Sequence, residues 1–358
     1  MADTPQHNIS PGQLTVFLIS AQLGLGIFGL PRHAVERLGH AGWWLVLAVG
    51  FLTFLGVMIV TALCGRFQSS ILTVHRRVFG TFIGTAFNLL LLAALFGLTV
   101  THFALYIQVM KVFFFRITPF TVVAAILIAP VVYLAAKGLK TAARFDTFVY
   151  IAILALIGMM LAASREASWT FLQPLLSFKT TAFLQTMFRL TFGFVGFELL
   201  LVVYPWVREK AGRAALAAVG ITALVVTTYT VFTIAFFGEE FVIKQVFPLL
   251  NLVRTLQAPV IERLDIYFIM IWLPAMGSSA GAYLIATQLA AVEIFPRLPY
   301  RILLAILVAL VFLAVLPITR FDRVLVLTNY TGTAGMFVIG ILWPALVWLA
   351  AALRGVRG

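Results

Sequence analysis

The chain has 358 residues, of which 63% are apolar and only 10% are charged, whereas a soluble domain carries about 25% charged residues. This composition excludes a water-soluble enzyme and a nucleic-acid-binding protein, because no soluble fold of this length buries so much apolar side chain. The 25 Lys and Arg residues outnumber the 12 Asp and Glu residues, and they stand in connectors between apolar runs, where they set orientation against anionic lipid.

Ten apolar runs are long enough to cross a membrane, which takes about 20 residues for about 30 Å of hydrocarbon. The sequence therefore predicts an all-α integral membrane protein with ten transmembrane helices. Their approximate bounds are 11–38, 41–64, 80–110, 118–136, 146–163, 181–206, 213–237, 259–292, 300–318 and 324–352. Ser10, Pro11 and Gln13 predict the start of the first helix with a capping box. A connector helix is predicted over about 239–257 on the outer side, and the distribution of Lys and Arg places both termini in the cytoplasm.

The first span contains a glycine pair in mid-membrane. Gly24 and Gly26 flank Leu25, and each glycine costs about 1 kcal/mol of helix propensity. We therefore expect the helix to open near Leu25 and to resume at Ile27. Lipid offers no hydrogen bonds to an opened backbone, so this segment must line a cavity or be buried in protein. The free N–H groups and the positive dipole end then favour an anionic group such as a carboxylate. Close helix packing through small residues is the alternative.

A second glycine pair lies five spans later. Gly193 and Gly196 surround Val195 in the sixth span, and carbonyl groups released there can accept a hydrogen bond from an ammonium group or bind a cation. Broken helices 1 and 6 among ten spans indicate a 5+5 inverted repeat, with halves of about 10–164 and about 180–352 in one membrane domain formed by the whole chain. In such folds the substrate lies between the broken helices.

Charged residues inside the membrane cost about 2.5–3.5 kcal/mol on insertion scales, so each needs a reason. We expect Glu198 to act as an ammonium partner, a proton site or a clamp on the unwound segment, with a structural hydrogen bond as the alternative. Arg189 lies too far along the helix to pair with Glu198 and is expected to snorkel or line a vestibule. Arg32 and Glu36 are four residues apart and are predicted to pair across one turn.

Hydroxyl and imidazole groups of the third and eighth spans are candidates for the same cavity. His102 stands close to Thr99 in the third span, and Ser279 and Tyr283 share one face of the eighth. Ser278 and Ser279 are also a possible Na-type site together with carbonyl groups of the first span. Ordinary packing is the alternative for each of these residues.

Several motifs in order resemble one membrane protein family. They are Ile9-Ser10-Pro11-Gly12-Gln13-Leu14, Gly24-Leu25-Gly26-Ile27 running to Leu30-Pro31-Arg32, Phe171-Leu172-Gln173-Pro174-Leu175, Gly196-Phe197-Glu198, and Ile261-Glu262-Arg263-Leu264-Asp265 with Trp272. Over nearly the whole chain, their order and spacing resemble the spore germination receptor B subunit (GerAB-type family). This family is a branch of the amino acid–polyamine–organocation (APC) transporter superfamily.

The resemblance implies a LeuT/APC-like fold and a location in the spore inner membrane. It implies that the protein binds a nutrient germinant, usually an amino acid, and acts with a germination receptor A subunit and a C-subunit lipoprotein. Some proton-coupled relatives carry a lysine in the fifth span, whereas this chain has Asp146 near the inner end of that span and no Lys or Arg within it. This difference weakens a lysine-based proton mechanism.

Residue reasoning and resemblance together define the predicted binding set. It consists of Gly24, Leu25, Gly26, Ile27, Thr99, His102, Gly193, Val195, Gly196, Glu198, Ser279 and Tyr283. The leading hypothesis is a germinant-binding receptor subunit, and the alternative is an ion-coupled amino-acid permease. An enzyme is not expected, since the sequence has no HExxH motif and no plausible pair of carboxylates in mid-membrane. We expect membrane lipid and a small molecule as partners, with no cofactor and no nucleic acid.

Overall fold

The computed structural model describes residues 7–163, 165–174, 180–207, 209–255 and 264–356. The secondary structure in these ranges consists of α-helices and short helical turns, with one isolated bridge between Ile9 and Val207. The prediction of an all-α protein is confirmed for the described residues. Leu175 and the motif residues 261–263 lie outside the described residues.

The helices of the first half follow one another with short connections. They are α1 (Pro11–Gly26), α2 (Leu30–Leu38), α3 (Gly42–Phe67), α4 (Ile71–Phe113), α5 (Phe120–Lys137), α6 (Leu139–Phe145) and α7 (Val149–Ala163).

The second half contains more short helices. They are α8 (Thr180–Met187), α9 (Leu200–Val203), α10 (Ala211–Phe237), α11 (Glu239–Lys244), α12 (Pro248–Thr255), α13 (Leu264–Ile294), α14 (Tyr300–Val315), α15 (Phe321–Thr333) and α16 (Trp343–Leu353), with a π-helical stretch, Ala334–Leu342, joining the last two.

Seven helices in the described part of the chain are long and apolar enough to cross a membrane. They are Leu30–Phe67, Ile71–Phe113, Phe120–Lys137, Leu139–Leu161, Ala211–Phe237, Leu264–Ile294 and Phe321–Leu353. The chain is therefore an integral membrane protein. By this measure the predicted count of ten is not confirmed, because the first and sixth predicted spans are each divided into short pieces and α14 has only 16 residues.

Two local features follow directly from the sequence. The predicted capping box is confirmed: the Gln13 N–H donates to Ser10 Oγ over 3.2 Å, and the Ser10 N–H donates to Gln13 Oε1 over 2.9 Å. Helix α4 bends at Gly80, whose φ of 81° is a conformation that glycine adopts without a steric penalty. The predicted start of the third span at residue 80 therefore coincides with a kink inside a longer helix.

Helices α1 and α13 form the centre of the molecule. Helix α1 packs against α10 and α13, and α13 also packs against α4. The large side chains of Phe268, Trp272 and Tyr283 in α13 are fully buried. The centre of the molecule therefore surrounds the end of α1 with protein, as an interrupted backbone in a membrane requires.

The predicted connector helix is divided in two. Helices α11 and α12 occupy this segment, separated by residues 245–247. Helix α11 packs on α2, and the Glu239 carboxylate accepts a hydrogen bond from the His40 N–H over 2.7 Å. These contacts hold the connector over the second piece of the first span.

Candidate functional site

The first span is interrupted, two residues later than predicted. Helix α1 continues to Gly26, and α2 begins at Leu30. The residues that leave the helix are therefore 27–29 rather than those around Leu25. The predicted restart at Ile27 is wrong by three residues, because Leu25 keeps its helical conformation while Gly29 forms the N-terminal boundary of α2.

Helix α13 supplies hydrogen-bond donors to α1. The Trp272 Nε1–H donates to the Gly24 carbonyl oxygen over 3.0 Å, and Ser279 Oγ donates to the Ala21 carbonyl oxygen over 2.8 Å. Gly24 is among the last four residues of α1, whose carbonyl groups have no partner within a helix. Trp272 therefore compensates for the interruption that follows.

The second interruption lies where the glycine pair predicts it. Two short 3-10 turns, Thr191–Gly193 and Phe197–Leu199, are separated by residues 194–196. Gly196 has a φ of 131°, which a residue with a Cβ rarely adopts. Regular α-helix resumes only at Leu200.

Gln22 connects the two interrupted segments, and the sequence prediction missed it. Its Nε2 donates to the Phe194 carbonyl oxygen over 2.9 Å, and its Oε1 accepts from Thr222 Oγ1 over 2.9 Å. The side chain is almost fully buried. A lone amide in the middle of an apolar span was the signal, since a polar group in that position needs a partner.

Glu198 holds the unwound turn closed. Its Oε2 accepts from the Gly196 N–H over 2.7 Å, and its Oε1 accepts from the Tyr283 hydroxyl over 2.6 Å. Glu198 and Tyr283 are both fully buried. This is the geometry of a clamp on the unwound segment, while the ammonium-partner and proton-site interpretations remain predictions.

His102 joins this cluster through its ring. It stacks on Tyr283 with ring centroids 3.8 Å apart and lies 4.9 Å from the Phe192 ring. Its Nδ1–H donates to the Leu98 carbonyl oxygen over 2.8 Å. The imidazole is thereby held in one orientation next to the second interruption.

The two interruptions meet backbone to backbone. A Cβ atom added to Gly26 would lie 2.6 Å from the Gly193 Cα and 3.1 Å from the Phe192 carbonyl oxygen. A Cβ added to Gly24 would overlap the Ala275 carbonyl oxygen. Close packing and helix interruption therefore occur together at these glycines, although they were alternatives at the level of sequence.

A cavity of about 60 Å³ lies beside this contact, which is room for about two water molecules. Its lining comprises Leu25, Gly26, Phe28, Gly29, Leu30, Arg32, His33, Leu105, Val109, Arg189, Leu190, Phe192, Gly193, Val246, Phe247, Phe321, Leu325, Thr328 and Asn329. The connector, the two interrupted helices and the last span all contribute residues to this lining.

The predicted binding residues fall into separate groups. Leu25, Gly26 and Gly193 line the cavity. Gly196, Glu198, Tyr283 and His102 form the polar cluster described above, and Thr99 lies 2.9 Å from Thr287 through their hydroxyl groups. Gly24 and Ser279 join α1 to α13. Ile27 and Val195 are fully buried outside the cavity lining.

The predicted pairing of Arg32 with Glu36 is wrong. The Glu36 carboxylate lies 3.1 Å from the Arg189 guanidinium and 4.0 Å from His33 Nδ1. Arg37 also donates to the Gln185 side chain over 2.9 Å. These contacts join α2 to the segment that precedes the second interruption, and the separation of 153 positions between Glu36 and Arg189 hides the pair from sequence spacing.

The predicted Na-type site contains a carboxylate that the prediction did not include. Ser278 Oγ donates to Asp146 Oδ1, and Ser20 lies beside the same carboxyl group. All three side chains are buried. One carboxylate and two hydroxyl groups are hard oxygen donors of the kind that alkali and alkaline-earth cations prefer, while among the described residues no cluster of three His, Cys, Asp or Glu side chains forms a metal site.

The sequence of this chain matches a known protein family. A family model described as "Spore germination protein" (Spore_permease) matches residues 8–323, which include both interruptions and the polar cluster. The chain belongs to the spore germination protein family.

Curated relatives of this chain match over nearly their whole length. It is 22% identical over 346 residues to spore germination protein GerQB of Bacillus cereus, with 96% of each chain covered. It is 24% identical over 363 residues to spore germination protein B2 of Bacillus subtilis strain 168, with 98% of this chain and 96% of the relative covered. The predicted resemblance is confirmed.

Solved transporter structures share the fold of this chain. MhsT in complex with L-phenylalanine aligns with a TM-score of 0.66 at 16% identity, covering 97% of this chain and 100% of MhsT. Mhp1, a nucleobase-cation-symport-1 family transporter with bromovinylhydantoin bound, aligns with a TM-score of 0.62 at 12% identity, covering 92% of this chain and 77% of Mhp1. The predicted likeness to APC/LeuT-type transporters is therefore confirmed for the fold.

Proposed function

We propose that this protein is the germinant-binding subunit of a spore germination receptor and that its ligand is a small zwitterion, an amino acid. The observation that carries the proposal is the meeting of two interrupted helices at Gly26 and Gly193, directly beside a cavity. Backbone groups freed by such interruptions are the usual means by which an inverted-repeat fold holds a small polar molecule.

The carboxylate of the ligand is proposed to bind at the start of α2. Among the residues that the structure describes, no side chain caps this helix at Gly29, and Pro31 lacks an N–H group, so Leu30 and Arg32 offer the first free backbone donors. Gly29, Leu30 and Arg32 line the cavity together with the Arg189 side chain. The positive helix end and two guanidinium groups favour an anion here.

The size of the cavity sets a further condition. About 60 Å³ is less than an amino acid needs, so its walls must separate when the ligand binds. The contacts of Arg189 with Glu36 and of Arg37 with Gln185 are exposed and join the two sides of the cavity. We propose that these two contacts break when the ligand binds. Exposed ion pairs contribute only about 0–1 kcal/mol, so breaking them costs little.

The proposal extends to topology and assembly. We propose ten spans in a 5+5 inverted repeat, with halves of about 10–164 and 180–352, both termini in the cytoplasm and the connector over about 239–257 on the outer side. The location is the spore inner membrane, and the partners are a receptor A subunit and a C-subunit lipoprotein. No enzymatic activity is proposed.

Gly29→Leu tests the binding site. A Cβ at Gly29 makes only ordinary van der Waals contacts, the nearest with His33 Nε2 at 3.7 Å, and Gly29 lines the cavity, so a leucine there is expected to take up space that the ligand needs. Gly12→Leu is the matched control, because no atom of the described residues lies within 4 Å of its added Cβ. The measurement is the thermal shift of the purified full chain with each of twenty amino acids.

We expect at least one amino acid to stabilise the wild type and Gly12→Leu, but not Gly29→Leu. A ligand at 100 times its dissociation constant stabilises by about 2.7 kcal/mol, which is a measurable shift. If none of the twenty stabilises the wild type, or if Gly29→Leu responds equally, the proposed ligand class or the proposed site is refuted.

The buried Asp146 cluster supports a second candidate function, ion-coupled amino-acid transport. A carboxylate with Ser20 and Ser278 offers a cation or proton position next to α1. Proteoliposomes with an imposed Na⁺ or H⁺ gradient separate the two functions. Amino-acid accumulation that Asp146→Asn abolishes supports the permease, whereas ligand binding without accumulation supports the receptor.

A further inference from the structure

A second groove, between α5 and α14, has a lining distinct from that of the cavity at the interrupted helices. It has a volume of about 1070 Å³ between α5 and α14, slightly above the roughly 300–1,000 Å³ range of ligand pockets. Apolar side chains from both helices form most of its wall, and the small ones among them are Ala125, Ala129, Ala305 and Ala309. The space between the two helices is therefore an open apolar groove that runs along them.

One end of the groove is basic. Lys137 at the end of α5, Arg144 in α6 and Arg301 at the start of α14 all line it, and no acidic residue does within the part of the chain that the structure describes. The end of α5 lies beside the start of α14, where the Tyr300 hydroxyl donates to the Ala135 carbonyl oxygen over 2.9 Å, so all three cations line the same groove. Among the described residues, Arg144 and Arg301 form no ion pair, and Lys137 lies 5.8 Å from the Tyr133 ring centroid.

The length of the groove corresponds to one leaflet of a bilayer. Ala125 and Lys137 are separated by about 18 Å at the helical rise of about 1.5 Å per residue, and half of the hydrocarbon core is about 15 Å. A transmembrane helix of a partner protein would need a groove of about 30 Å. An acyl chain attached to a headgroup at the basic end fits the shorter distance.

We propose that this groove binds one anionic phospholipid. Its phosphate lies among Lys137, Arg144 and Arg301, where guanidinium groups offer paired N–H donors, and an acyl chain lies along the alanine wall. Basic pockets between membrane helices recognise anionic headgroups in this way. The site is independent of the proposed amino-acid site, because the two cavities share no lining residue.

The test uses the purified full chain in a neutral detergent. Native mass spectrometry and thermal shift are recorded with phosphatidylglycerol, with phosphatidylcholine, and with water-soluble glycerophosphoglycerol. The variant Arg144→Gln/Arg301→Gln removes two cations from the groove. Arg77→Gln/Arg213→Gln is the matched control, since it removes two exposed arginines that do not line the groove.

We expect phosphatidylglycerol to bind and stabilise the wild type and the control. In Arg144→Gln/Arg301→Gln its affinity should fall about thirtyfold, because each basic residue contributes about a fivefold factor near anionic lipid. Ala129→Phe keeps all three cations but fills the apolar wall, and it should also lose the lipid while its melting temperature without lipid stays near that of the wild type.

Three results would overturn the proposal. One is equal binding of phosphatidylglycerol and phosphatidylcholine. Another is equal stabilisation by glycerophosphoglycerol, which would show that the acyl chain is not recognised. The third is a dimer that Ala129→Phe disrupts and phosphatidylglycerol does not affect, which would make the groove a contact between two copies of the chain.

Discussion

Tyr283→Phe is expected to destabilise the protein by about 1–3 kcal/mol. The Tyr283 hydroxyl donates to Glu198 Oε1 over 2.6 Å, and both side chains are fully buried. Removing the hydroxyl leaves that oxygen without this donor, and a buried polar group without a partner costs about 1–3 kcal/mol. The aromatic ring stays stacked on His102, so little packing is lost.

Tyr300→Phe is the matched control for this change. Its hydroxyl donates to the Ala135 carbonyl oxygen over 2.9 Å, but that oxygen also accepts from the Gly138 N–H over 3.0 Å and so keeps a partner. The expected loss is therefore about 0.5–1.5 kcal/mol, the net value of one ordinary hydrogen bond.

The assay is the apparent melting temperature of the purified chains in one detergent. A loss of 1 kcal/mol lowers it by about 2 °C for a large domain, so Tyr283→Phe should fall further than Tyr300→Phe. Equal shifts for the two variants would refute the view that Glu198 depends on Tyr283. In a double-mutant cycle, Tyr283→Phe and Glu198→Gln should be non-additive, because the two residues share one interaction.

Three other changes are expected to act at the interrupted helices. Gly26→Leu should lower the melting temperature and abolish the germination response, because its Cβ would lie 2.6 Å from the Gly193 Cα; a normal response of spores carrying it would contradict the contact. Gln22→Leu should cost about 1–3 kcal/mol by leaving the Phe194 carbonyl oxygen without this donor, measured by the same melting assay, and an unchanged melting temperature would count against the bridge. Arg189→Gln should change stability by less than about 1 kcal/mol, because its ion pair is exposed, and a larger loss would mean that the pair is a structural contact.

Both helix interruptions could be predicted because their cause is local. Two glycines within three or four positions weaken a helix wherever they stand, and the interruptions occur at or next to Gly24–Gly26 and Gly193–Gly196. The capping box at Ser10 is also local, since its donors and acceptors lie three residues apart. In the first span the prediction missed the boundary by a few residues, because Trp272 of α13 supports the end of α1.

Partners of polar residues could not be predicted, because they come from distant parts of the chain. The Glu36 carboxylate pairs with Arg189 and not with Arg32. Gln22 donates a hydrogen bond to the carbonyl oxygen of Phe194, which lies 172 positions away in the sequence. Spacing along one helix ranks only neighbours three or four residues apart, so it favoured the wrong pair. The division of the binding set between a cavity and a separate cluster likewise depends on how four helices pack.

By itself, the sequence determined that the chain lies in a membrane, that it is helical, and where two of its helices are interrupted. Those properties depend on composition and on propensities that act over a few residues. The tertiary structure alone decided that the two interruptions touch, that Glu198 closes one of them with Tyr283, and that three cations line one apolar groove. Such contacts arise when apolar faces pack and bring together residues that no local rule relates.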